Sequence, residues 1–195
     1  MNEQLAAALE EARQPFADTR FNVCRLEIAG GDDGYELQGT VLDEPTLAAV
    51  LDHLRQRLPD ARFRADGVVV LRRSRPRLMA VTTNMTGWQR EQSWLGEQQS
   101  QVLNGVVVEI LEEGERWSFG RLADGYLGYV YAGYLGPTGE TPEPTHRVSQ
   151  PVALLWPESG AGPAPVGRVF AGTRVAATPL SDGRSIMQQQ MDNLR

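Results

Sequence analysis

Leucine and alanine recur at helical spacing over residues 2–12, where Leu5 and Leu9 stand one turn apart among alanines. The pattern predicts an amphipathic helix whose apolar stripe needs a partner surface. Period two follows. Cys24, Leu26 and Ile28 alternate with Arg25 and Glu27 in residues 21–29, and Tyr35, Leu37, Gly39 and Val41 repeat the alternation in 35–42. These read as two antiparallel strands joined by the glycine-rich loop Gly30-Gly31-Asp32-Asp33-Gly34. Asp43 is a helix N-cap with Pro45 in the first turn, and Leu47, Val50, Leu51, Leu54 and Leu58 keep helical spacing up to Pro59. A third strand over 61–71 ends in Val68-Val69-Val70-Leu71. Residues 1–72 therefore run helix, strand, strand, helix, strand.

That αββαβ order resembles the BON domain, in which two helices pack on one face of a three-stranded sheet, and Leu37-Gln38-Gly39-Thr40-Val41 is similar to that family's second-strand glycine segment. Arg72-Arg73-Ser74-Arg75-Pro76-Arg77 then reads as a short basic linker, a solvated run more readily than an anion site. Beyond it the pattern changes to brief strands over 81–83, 106–111, 117–122 and 128–131, with turns at Glu113-Gly114 and Asp124-Gly125. This predicts a small β-barrel over residues 78–137.

The run from Asn104-Gly105-Val106-Val107-Val108 through the Glu113-Gly114 turn and Trp117-Ser118-Phe119-Gly120 to Asp124-Gly125-Tyr126-Leu127-Gly128-Tyr129-Val130 resembles the bacterial SH3 domain, with Tyr129 where that family usually carries tryptophan. A shift of 67 residues superposes a second copy without gaps, pairing Val81 with Val148, Val102 with Val169, Leu103 with Phe170, Gly105 with Gly172 and Val108 with Val175. A proline-rich linker over 137–144 joins the copies. The second copy, over 145–195, reaches Met187-Gln188-Gln189-Gln190-Met191 where a tryptophan strand is expected, so it reads as incomplete and the natural chain as longer; residues 181–195 read as a short helix or a tail. The fold class expected is α+β followed by all-β.

Composition narrows the chemistry. The net charge of −6 lacks the basic footprint of a nucleic-acid-binding surface. No apolar run approaches the roughly 20 residues of a membrane span, and no secretion signal is visible at the N-terminus. One cysteine and two histidines, His53 and His146, leave no expected metal site, cofactor or catalytic triad. Cys24, inside an alternating strand, reads as a packed thiol rather than a nucleophile, which would want a helix N-terminus and a histidine. Aromatic residues instead concentrate in 88–134, with Trp88, Trp94, Trp117, Phe119, Tyr126, Tyr129, Tyr131 and Tyr134. Trp117 and Phe119 share a strand face and are expected in the core; Trp94 and Tyr126, in loops, together with Tyr129, are candidate ligand contacts, and Arg121 is a candidate partner for a ligand carboxylate.

Tandem bacterial SH3 units resemble the non-catalytic N-terminal region of NlpC-type cell-wall cysteine peptidases. The resemblance implies binding of a peptidoglycan stem peptide, or packing against a downstream peptidase domain that acts as a γ-D-glutamyl-diamino-acid endopeptidase. Its catalytic Asp-Cys-Ser-Gly segment does not occur in these residues, so the hydrolase activity is expected to lie elsewhere. Two alternatives stand beside this targeting role: an intramolecular clamp for a peptidase domain, and an interaction adaptor. Localisation is open, the cell wall by the resemblance and the cytoplasm by the absence of a visible signal.

Overall fold

The computed structural model describes residues 3–31, 34–139, 143–157, 164–181 and 185–188. Asp32 and Asp33 of the expected hairpin loop therefore lie outside the described residues, as does the stretch after Gln188. The described residues are mostly β with two α-helices, and the chain divides into two compact units: residues 1–77 with Asp124–Leu127, and the remainder.

In the first unit, helix α1 (Glu3–Arg13) runs into a 3₁₀ turn, Gln14–Phe16, followed by strands β1 (Cys24–Gly31) and β2 (Gly34–Val41), helix α2 (Glu44–Arg57) and strand β3 (Phe63–Val70). The sheet order is β1-β2-β3, antiparallel between β1 and β2 and parallel between β2 and β3. Strand β1 starts at Cys24, later than the alternation from Phe21 predicts, because Asp18 draws the preceding residues into a turn. Its carbonyl accepts from the amides of Phe21 and Asn22, and its carboxylate from Arg20. The Asp43 carboxylate accepts from the Thr46 amide at 3.1 Å and the Thr46 hydroxyl at 2.8 Å, so the cap read from the sequence is formed. Ala8, Leu9 and Ala12 of α1 and Val50 and Leu54 of α2 bury against Leu26, Leu37 and Val41. Gly39 lies opposite Leu26 with φ +117°, where a Cβ would meet the Arg25 carbonyl oxygen; this position on β2 accepts only glycine without strain.

The second unit opens with strands β4 (Arg77–Val81), β5 (Met85–Gln89), β6 (Gln98–Leu103), β7 (Val107–Glu112), β8 (Trp117–Arg121), β9 (Leu127–Tyr131) and β10 (Leu135–Pro137) in the order β10-β4-β7-β8-β9-β5-β6. The expected closed barrel is not formed. Between β6 and β7 the chain turns at Asn104-Gly105 and bonds back to the β4–β5 link instead of forming a hairpin. The Asn104 amide donates to the Asn84 carbonyl, the Gly105 amide to Val81, and the Asn104 side chain to Thr82. The two strands diverge there, leaving β6 and β10 as the sheet's edges. Trp88 is fully buried, and Val81, Val102, Val108 and Val130 of the same sheet are buried too.

The second copy contains β11 (His146–Arg147), β12 (Val152–Leu155), β13 (Gly167–Phe170), β14 (Arg174–Pro179) and β15 (Ser185–Gln188). The translation by 67 residues holds at the level of single hydrogen bonds. Gly105 N to Val81 O becomes Gly172 N to Val148 O, Val81 N to Val106 O becomes Val148 N to Thr173 O, and Asn104 N to Asn84 O becomes Ala171 N to Pro151 O. Strand register follows: Met85 opposite Leu103 maps onto Val152 opposite Phe170, and Glu109 opposite Arg121 onto Ala176 opposite Gln188. Gly105 and Gly172 both turn the chain at positive φ, +78° and +90°. Residues 185–188 are a strand, neither the helix nor the tail that glutamine and methionine suggested, because pairing with β14 decides their backbone. The second copy's described strands form two separate sheets, β11-β14-β15 and β12-β13.

Candidate functional site

Alternation along β8 puts Ser118 and Gly120 on the inner face of the sheet and Trp117, Phe119 and Arg121 on the other. On β9, Gly128 and Val130 face inward, and Tyr129 and Tyr131 lie beside the β8 outer residues. Trp88 explains the inner glycines: a Cβ on Gly120 would crowd the Val108 side chain and stand against the Trp88 ring, and one on Gly128 would strike the indole itself. The large aromatic residues of β8 and β9 are thereby left to the opposite face, where Trp117 and Phe119 are buried, as expected of core residues.

There they form a continuous strip. The Phe119 and Tyr129 rings stand 4.9 Å apart, and one step along the strands Trp117 meets Tyr131 edge-on at 6.0 Å. Trp94, from the β5–β6 loop, lies over this end at 4.7 Å from Trp117, 4.9 Å from Tyr131 and 6.2 Å from Tyr134. The loop is pinned at its base by Arg90 N to Glu97 O at 2.9 Å and an Arg90–Glu97 ion pair at 3.0 Å, and at its tip by Leu95 N on the Ser93 hydroxyl. Trp117 is buried beneath, whereas Trp94 is 50 % exposed and Leu95 98 % exposed. Tyr134 is set by its carbonyl, which accepts from the amide and hydroxyl of Thr82.

Polar groups mark the other end. Gln89 pairs with Tyr129 across β5 and β9, and its Oε1, buried, finds no hydrogen-bond partner among the described residues. Arg121 reaches Glu109 at 3.6 Å through Nη1, while its Nε is buried and equally unpartnered among the described residues. The strip thus offers flat ring surface at one end and a guanidinium at the other.

Of the residues singled out from the sequence, the structure brings Trp94, Tyr129 and Arg121 onto this one face. Tyr126 is not on it: its ring packs edge-on against Phe21 at 5.2 Å in the first unit. Tyr131, Tyr134 and Gln89 belong to the strip and were not singled out. Tyr131 stands two residues from Tyr129 on β9 and so shares its face by alternation, but Tyr134 and Gln89 join only through the sheet order. Cys24 packs against the first unit's core, and burial pushes its thiol up in pKa, opposed in part by Arg13. His53 Nε2 lies 3.5 Å from Glu11, and His146 bonds the Thr145 hydroxyl on an exposed strand. Among the described residues no group of three His, Cys, Asp or Glu side chains is placed to hold a metal ion, and no helix is long and apolar enough to cross a membrane.

Residues 94–135 match the bacterial dipeptidyl-peptidase SH3 domain. The match begins at Trp94, ends at Leu135, and contains every aromatic residue of the strip together with Arg121. No curated protein matches the chain. The matched segment is thus similar to a bacterial SH3 domain, and it contains the rings of the face assembled above.

Proposed function

We propose that the aromatic strip binds extended peptide, and that the chain is a non-catalytic targeting or substrate-binding region of a bacterial peptidoglycan hydrolase of the NlpC type, taking cell-wall stem peptide through this SH3 domain. One observation carries the reading: Trp94 stands half exposed on a floor of Trp117, Tyr131 and Tyr134. A half-exposed tryptophan held by three other rings presents a rigid apolar surface whose rotamer entropy is already spent, the arrangement that makes aromatic residues binding hot spots. Arg121, at the far end and engaged on one side by Glu109, supplies a partner for a peptide carboxylate. Cys24 supports a binding role over a cutting one, since its half-buried thiol, raised in pKa by that burial, is the reverse of an activated nucleophile. The first unit's αββαβ order, with β2 and β3 parallel, supports its likeness to the BON fold.

Retention on purified insoluble peptidoglycan tests the proposal. The wild-type chain is expected to be retained, and Trp94→Ala to bind about tenfold more weakly, a loss of about 1.4 kcal/mol. Tyr126→Ala, whose side chain lies off the strip, is expected to leave retention unchanged. Equal retention of the wild type and Trp94→Ala would remove the strip as the binding surface.

A further inference from the structure

Two polar atoms at one end of the aromatic strip, Arg121 Nε and Gln89 Oε1, are cut off from water and have no hydrogen-bond partner among the described residues. A buried donor or acceptor in that state carries a desolvation penalty that a bound group of opposite sense relieves. Arg121 is held from one side. Glu109, directly opposite it across β7 and β8, has a side chain only 11 % exposed and lies 3.6 Å from Nη1. On a planar guanidinium the Nε–H points to the side of Nη2, away from Nη1, so this ion pair leaves the Nε/Nη2 edge, the fork that seats a carboxylate through two parallel hydrogen bonds. Gln89 is itself 7 % exposed, and its Nε2 lies with the Gln98 Oε1 over Gly87, where a Cβ would crowd both. Its Oε1 is left as the acceptor that lacks a donor. Gln89 stands opposite Tyr129 on β9, and Arg121 stands on β8 two residues beyond Phe119, whose ring meets Tyr129 at 4.9 Å. The two unmet atoms thus flank the same tyrosine, one a donor and the other an acceptor.

We propose that this end of the strip reads the free C-terminus of the bound peptide. The terminal carboxylate sits on the Nε/Nη2 edge of Arg121, and the N–H of the same residue donates to Gln89 Oε1. A peptide's last residue carries both groups at a fixed separation, whereas a residue within the chain has the N–H without the carboxylate. The rest of the peptide then runs over Tyr129 and Tyr131 toward Trp94, so its direction is set. Gln89 becomes a specificity-determining residue and Glu109 a positioning residue that orients the guanidinium. The inference rests on the peptide reading above and adds to it the terminus and the direction.

Calorimetric titration of the chain with four probes tests it: a soluble cell-wall stem peptide with a free C-terminal carboxylate, its C-terminal carboxamide, its N-acetylated form, and the analogue with an ester oxygen in place of the last amide N–H. The carboxamide and the ester are each expected to bind about tenfold more weakly than the parent peptide, and the N-acetylated form to bind equally. Arg121→Gln is expected to remove the difference between acid and carboxamide, and Gln89→Met the difference between amide and ester. Because the comparison of probes is made on the wild-type chain, a variant that fails to fold does not decide the matter. Equal wild-type binding of acid and carboxamide, equal binding of amide and ester, or a loss on N-acetylation alone would overturn the proposal, and if Trp94→Ala still weakened every probe the peptide-binding strip would stand without it. Absence of any binding that depends on Trp94 would remove both.

Discussion

Four tryptophans in one chain take four different environments, and their neighbours decide which. Trp88 is interior because β8 and β9 place Gly120 and Gly128 against it. Trp117 is a floor, Trp94 a half-exposed lid over it, and Trp156 an exposed residue in the second copy. Composition cannot separate these roles, since each tryptophan sits in a β-rich stretch; the inner glycines are the legible clue for Trp88, and they acquire meaning only once β5 is known to neighbour β9. Trp88→Ala is expected to cost about 3–5 kcal/mol in urea unfolding, because it removes the largest buried side chain of this sheet from a site lined by glycines that cannot collapse to fill it. A loss below about 1 kcal/mol would show that the sheet repacks around the gap. At Asp18 the effect is electrostatic: paired with Arg20 by side-chain and backbone hydrogen bonds, its carboxyl falls from the ordinary 3.8 to about 2. A depressed folded pKa gives stability that is present above the unfolded value and lost as pH falls through the folded one. Glu11, held down chiefly by Arg57, acts in the same direction. Stability of the chain is therefore expected to fall as pH drops from about 4 to about 2, and Asp18→Asn to flatten that part of the profile in acid titrations followed by circular dichroism.

Elements that carry their own local signal were readable from the sequence. Helix α2 announces itself through Asp43, Pro45 and its leucine stripe, and the structure forms the cap with Thr46. Asp43→Ala is expected to cost about 1 kcal/mol, measurable as a shift in the denaturation midpoint, and Asp43→Asn to restore most of it. Strands β5, β6, β12 and β13 carry little alternation of their own and are set by cross-strand partners, so they were not legible one at a time. The repeat made up part of this loss. The shift that aligns a handful of valines and one glycine also carries the turn hydrogen bonds at Gly105 and Gly172, because the same small set of contacts must close the same turn twice. It did not foretell residues 185–188, where glutamine and methionine favour a helix locally and β14 imposes a strand.

For the whole molecule, the sequence indicated an α+β unit followed by β-rich copies, and the described residues follow that plan, with the closed barrels replaced by an open seven-stranded sheet and two smaller sheets. Barrel closure depends on which edges meet, and no residue pattern encodes that directly. The candidate site was half legible for the same reason. Trp94, Tyr129 and Arg121 were chosen by residue type, and their common face emerges from the β8-β9-β5 order, which also excludes Tyr126. The functional account rests on that face being a peptide-binding surface. The most direct test is a calorimetric titration of the chain with a soluble cell-wall stem peptide, repeated with Trp94→Ala and Arg121→Ala. Saturable binding to the wild type that both substitutions weaken by about tenfold or more is the predicted result; binding of equal strength in all three, or none in the wild type, would contradict it.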